Sequence, residues 1–234
     1  MKNISKQELM EMIKNRQNGK KLELKESILE NMDLSGCDLK SIDFTFSDFI
    51  GVKLENANFE NSSLNNAYFS DCSLKGADLR NASLYAADFR FCDLSKSNIQ
   101  GANLFGALLQ GALLEGILYN NDTRFFKLHC PETGPFIGYK KCFNFRIVQL
   151  LIPKDARRSS ATTNECRCDK AKVLTIKSID NKEYFNEARS YVDENFLYRV
   201  GKMAVANGFN EDRWAESTTG IHFYLTREEA IGYL

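Results

Sequence analysis

From Leu24 to Tyr119 every fifth residue is large and apolar: Leu24, Leu29, Leu34, Leu39, Phe44, Phe49, Leu54, Phe59, Leu64, Phe69, then Leu74, Leu79, Leu84, Phe89, Leu94, Ile99, Leu104, Leu109, Leu114 and Tyr119. In a chain that is 43% hydrophobic, an unbroken run of this length has a chance probability of roughly one in twenty million, so the spacing is a structural period. Two residues ahead of each centre runs a second series, mostly small, including Cys37, Ser62, Ala67, Cys72, Ala77, Ala82, Ala87, Cys92 and Ala102. Between the two series stands Asp or Asn in many units, as in Asp33, Asp38, Asp43, Asp48, Asn58, Asp78, Asp88 and Asn103. A period of five fits neither an α-helix nor a long strand. It fits a chain that turns a corner every five residues, with one large and one small side chain inward and the polar residues outward.

The units Ala57-Asn58-Phe59, Gly76-Ala77-Asp78-Leu79, Ala86-Ala87-Asp88-Phe89 and Gly101-Ala102-Asn103-Leu104 carry a resemblance. Over about residues 22–120 the chain resembles the pentapeptide-repeat family, whose motif is A(D/N)LxX. The resemblance implies a mainly β fold: a right-handed quadrilateral β-helix with four pentapeptides per coil and about five coils, roughly 24 Å tall. Residues twenty apart then stack, so Leu29, Phe49, Phe69, Phe89 and Leu109 form one core column. Cys72 and Cys92 fall on an inward column and Cys37 on another, as small core hydrophobes.

Such a column needs covered ends. Ser5-x-x-Glu8 reads as a capping box followed by the apolar Leu9, Met10 and Ile13, which predicts a helical cap over 5–17, ended by Asn18-Gly19, within an N-terminal segment 1–21. The repeat region is 22–121. In its last coil the outward middle positions become Leu108, Leu113 and Leu118, a patch that calls for cover. The expected cover is the C-terminal half, docked on that coil. A second outward set, Tyr68, Tyr85, Phe91 and Phe105, maps to two adjacent faces and their corner and is a candidate partner or dimer surface.

Residues 122–234 read as a separate small domain. Strand candidates are 136–140, 145–153, 172–179, 196–200 and 220–225, Thr226-x-x-Glu229 opens a final helix, and 182–192 suits helix or strand. The expectation is an α+β domain. Gly138-Tyr139-Lys140, Leu151-Ile152-Pro153 with Ala156, Asp193-x-Asn195-Phe196-x-Tyr198-x-Val200-Gly201 and Gly220-Ile221-His222-Phe223 are similar to an uncharacterised domain found with pentapeptide repeats, including in phage proteins. In that pattern a cysteine often stands where this chain has Ser217. The resemblance implies a fold and no mechanism.

Candidate chemistry is sparse. Cys166-x-Cys168 with His129-Cys130 lacks the Cys-x₂₋₄-Cys spacing of structural zinc sites, so no metal and no cofactor are expected. His222 alternates with Ile221 and Phe223 and needs a partner to act as a base. Arg157 and Arg158, ahead of a polar stretch read as an exposed loop, are candidate anion ligands. No phosphate-binding glycine loop or nucleophile elbow occurs in the sequence.

Charge adds little: Lys+Arg and Asp+Glu are equal at 31 each, so no global field favours nucleic acid or a membrane. Within residues 21–120, eight basic residues stand against fourteen acidic ones, a net of −6. Some members of the family resembled mimic DNA and bind topoisomerases, so that reading stays as an alternative. Yet −6 is mild, and Asp belongs to the motif. Seven cysteines without scaffold spacing suggest reduced thiols in a cytoplasmic protein. The expected function is non-enzymatic: a rigid β-helix, monomeric or homodimeric, that presents the α+β module to a protein partner. A second alternative is an enzyme with its activity in the C-terminal domain.

Overall fold

The computed structural model describes residues 1–17 and 20–233. They form two compact units, Met1–Lys127 and Leu128–Leu234.

In the first unit parallel bridges join residues twenty apart, as in the series Asp38↔Asn58, Asn58↔Asp78 and Asp78↔Asn98. On another face the short strands Ser27–Glu30, Asp48–Ile50 and Tyr68–Ser70 pair in parallel, with Leu29, Phe49 and Phe69 in register. This is the quadrilateral β-helix that the resemblance implies. Each large inward residue from Leu24 to Leu109 is buried. The stack ends beyond them, where Tyr119 is 47% exposed.

Two local devices turn the corners. The Asp or Asn before each centre is a turn-maker rather than a merely solvated residue. Its side-chain oxygen accepts the backbone N–H two residues on, at 2.9 Å from Asn58 to Glu60, 3.0 Å from Asp88 to Arg90 and 2.8 Å from Asp93 to Ser95. The next residue then takes positive φ, at every fifth position from Glu26 through Asn31 and Gly36 to Gly116. Glycine and asparagine tolerate that conformation best, and they fill most of these corners.

The helix Lys6–Lys14 carries the expected capping box between Ser5 and Glu8 and buries Leu9. Just before it, Lys2–Asn3 pairs in parallel with Ser27 and Ile28, adding to the sheet edge. The predicted stop at Asn18-Gly19 lies outside the described residues. At the other end the ladder runs past Asn121: Arg124 bridges Asn103, and the Thr123 hydroxyl donates to the Ile99 carbonyl at 3.1 Å. Cys72 and Cys92 are buried, but Cys37 is only half-buried, at the open start of its column.

The second unit is largely antiparallel. One sheet has the order Met203–Val205, Lys170–Ser178, Arg146–Ile152, Phe136–Cys142, and a second has Ile221–Phe223, Cys166–Cys168, Arg158–Ser160. The two join where Tyr139 and Tyr224 exchange N–H···O bonds of 2.8 Å. Gly138 is required at this seam, because a Cβ there would press on the Phe223 ring. Its helical content among the described residues is the short helix Arg227–Gly232, capped by Thr226 and Glu229. The 182–192 segment contains a strand, Glu187–Arg189, paired with Leu197–Arg199. The stretch after Arg157 is a strand and not a free loop, since Arg158–Ser160 pairs with Cys166–Cys168.

Candidate functional site

On the repeat unit the outward aromatics stand where the register puts them. Tyr85 and Phe105, twenty residues apart, stack with 5.6 Å between ring centroids and 19° between planes. Phe125 extends the pair edge-on at 4.9 Å; the sequence reading missed it because it lies past the last regular repeat. Tyr68 sits on the next face, in the column Tyr68, Asp88, Leu108, so it and Leu108 share one side of the rod. Leu113 and Leu118 stack on Asp93 and Asn98, on the two remaining faces, and are 60% and 54% exposed. The three leucines therefore girdle the rod on three successive faces, with Leu108 on the side that carries Tyr68.

Phe91 is different. It occupies a left-handed corner, φ 62°, and is 78% exposed. Its ring leans over Gly111 one coil further on, where any Cβ would collide with it. Phe46 shares the conformation (φ 59°) with 52% exposure. A bulky side chain gains nothing from such a backbone position and costs on the order of 1 kcal/mol there relative to glycine.

Acidic groups near these rings are largely engaged. Arg90 grips Asp88 with two hydrogen bonds, Nε to Oδ1 at 2.9 Å and Nη2 to Oδ2 at 2.5 Å. Arg80 holds Asp78 in the same way, and that contact holds the Asp78 carboxyl below its ordinary pKa.

In the second unit the candidate anion ligands are occupied by the protein itself. Arg158 donates to the backbone carbonyls of Ala156, Pro131, Gly134, Pro153 and Lys154, so it pins the chain around it. Arg157 pairs with Asp169 at 3.1 Å and Glu211 at 3.0 Å. His222 has the partner its sequence lacks: Nε2 meets the Thr218 carbonyl at 2.8 Å and Nδ1 meets Glu165 at 3.1 Å. A carbonyl only accepts, so Nε2 carries a proton. The ring is thereby braced between a loop and the neighbouring strand.

The same strand borders a cavity of about 440 Å³, lined by Lys140, Phe196, Tyr198, Ser217 and Thr218 among others. Lys140 and Tyr198 are 7% and 2% exposed. Lys140 Nζ donates to the His222 carbonyl at 3.0 Å, and no carboxylate lies within ion-pair distance of it among the described residues. Burial holds its pKa below the ordinary value. Its neighbours Cys142, Glu165 and Cys168 act in the opposite direction, but less strongly than burial; burial pushes Cys142 up to about 12 and also raises Cys168 and Tyr198, while Glu165 is turned to His222. Cys130 and Cys166 share a thiol hydrogen bond that lowers the former and raises the latter. Among the described residues no three His, Cys, Asp or Glu side chains gather as metal ligands.

Residues 42–118 match the model of a pentapeptide repeat region. A pentapeptide repeat protein from the Arabidopsis thaliana thylakoid lumen is 33% identical, covering 44% of this chain and 70% of that one, with a TM-score of 0.38. This chain belongs to the pentapeptide-repeat family. Within the family it is similar to a protein from the cyanobacterium Cyanothece 51142 (20% identity, 44% of this chain and 86% of that one, TM-score 0.31). It is also similar to QnrB1, a plasmid-mediated fluoroquinolone resistance protein (23% identity, 44% and 70%, TM-score 0.17). Residues 126–230 match a family of unknown function (DUF5758). No curated protein matches the chain. No helix among the described residues is long and apolar enough to cross a membrane.

Proposed function

We propose that this pentapeptide-repeat protein is a non-enzymatic binding scaffold whose rod takes a protein partner on its aromatic side and which also carries the second unit. The observation that carries the reading is Phe91: a phenylalanine in a left-handed corner, 78% exposed, is disfavoured both by backbone conformation and by solvent. Such outliers mark sites of function more often than of stability. The parallel ladder holds the corner rigidly, so Phe91 is pre-organised as an anchor and little conformational entropy is lost on contact. Tyr68, Tyr85 and Phe105 flank it as rigid aromatic contacts of the kind enriched at interfaces.

The partner is a protein with an apolar pocket and a net basic surround, complementary to the −6 charge of residues 21–120. The DNA-mimic reading has less support, because Asp78 and Asp88 carry their own arginines and so offer less free negative charge. Seven free thiols support a reducing, cytoplasmic setting.

The test is affinity capture from the source cells with wild-type protein, Phe91→Asn and Lys75→Ala as the surface control. A protein retained by wild type and the control but lost with Phe91→Asn supports the reading. Identical capture by all three contradicts it.

A further inference from the structure

The cavity of the second unit holds a group that a scaffold does not need. Lys140 lies on the core side of the strand Phe136–Cys142, in alternation with Gly138 and Cys142. The neighbouring positions Ile137, Tyr139 and Lys141 are half-buried. Lysine at a core position is rare, and an ammonium there without a carboxylate carries a desolvation cost. Burial favours the free amine relative to an exposed lysine. In that state one N–H goes to the His222 carbonyl, as observed at 3.0 Å, and the nitrogen keeps an unshared pair.

The space beside it is matched to a small molecule. A half-open pocket of about 440 Å³ lies there, lined by Phe196, Tyr198, Ser217, Thr218 and Thr219 among others. Ser217 is held at φ 46°, a strained conformation for a residue with a Cβ. A hydrophobic wall with a few convergent polar groups is the usual make-up of a ligand site.

We infer that Lys140 is a nucleophile in a carbonyl-binding site, forming a reversible imine with a small, largely apolar aldehyde or ketone that carries one or two hydrogen-bonding groups. In the reaction the Lys140 pair attacks the carbonyl carbon, a C–N bond forms, the π pair moves to oxygen, and one of the two protons on nitrogen passes to that oxygen. The carbinolamine then loses its hydroxyl as water while nitrogen gives up its remaining proton and closes the C=N bond. The sum is amine plus carbonyl giving imine plus water, with no oxidant or reductant. Tyr198 lines the same pocket, and burial keeps its phenol protonated. This inference is independent of the aromatic side of the rod.

The experiment treats the full chain with butanal and sodium cyanoborohydride at pH 7, which fixes imines as stable alkylamines, followed by peptide mapping. Lys182, whose side chain is 81% exposed, is the internal reference. The inference predicts that Lys140 is alkylated at least tenfold faster than Lys182, and that Lys140→Arg abolishes the fast adduct. The wild-type ratio is decisive even if the variant fails to fold. Labelling of Lys140 no faster than Lys182 in folded protein overturns the inference. So does saturable stabilisation by inorganic phosphate with no adduct at Lys140, which would make the cavity an anion site.

Discussion

Phe49 and Phe69 lie face to face at the centre of the rod, 4.6 Å between ring centroids and 9° between planes. Phe89 continues the stack at 4.6 Å and 18°. Side chains stack in this way because each belongs to a coil locked in register with the next, so no ring can move aside to fill a gap. Phe69→Ala is therefore expected to cost about 3–5 kcal/mol. The exposed Lys75→Ala should cost under about 0.5. Chemical denaturation of both variants checks the contrast, and equal shifts would contradict the register. Asn66 is a poor surface control, since its φ of 54° makes alanine there costly for backbone reasons alone.

The seven thiols should divide by position. Burial pushes Cys72 and Cys92 up to about 11 and 12, and the four thiols of the second unit are buried as well. Only Cys37 is half-open. Intact-mass analysis after N-ethylmaleimide should show one adduct on the native chain, at Cys37, and seven in urea. Several adducts under native conditions would contradict the assigned burial.

Much of the rod was legible because period five is imposed by the core itself: each inward slot selects for size, and selection repeats at every corner. The left-handed corner was harder to read. Glycine and asparagine announce it at most positions, but Phe46, Phe91 and Lys96 take the same φ without a matching residue type. The second unit hid its site for a different reason. Glu165 and His222 are far apart in the sequence and meet only because the strands Cys166–Cys168 and Ile221–Phe223 are neighbours. Lys140 is likewise invisible until the core side of its strand is known. Arg157 and Arg158 misled because a pair of arginines shows nothing of the carbonyls and carboxylates that already bind them.

Lys140 also makes a prediction about stability. Its pKa is lowered on folding by burial, so it costs stability wherever the unfolded chain is protonated. That cost is present below the ordinary lysine value of about 10.5 and fades as pH rises to it. Lys140→Met should therefore stabilise the protein at pH 7, with the gain shrinking toward pH 10.5. Denaturant melts across that range check it. A gain that does not change with pH, or a loss at pH 7, would contradict the unpaired buried amine.

Phe91→Asn should raise stability by about 0.5–1 kcal/mol, because asparagine adopts the left-handed corner more readily. Thermal or denaturant unfolding of the variant checks this directly, and a destabilised variant would show that the ring is needed for folding.

The most direct test of the scaffold reading places a photo-reactive benzoylphenylalanine at Phe91, and separately at Lys75, and irradiates cells of the source organism. A discrete protein adduct from position 91, absent from position 75, is the predicted result. No adduct at 91, or the same adducts from both positions, would contradict a partner surface centred on Phe91.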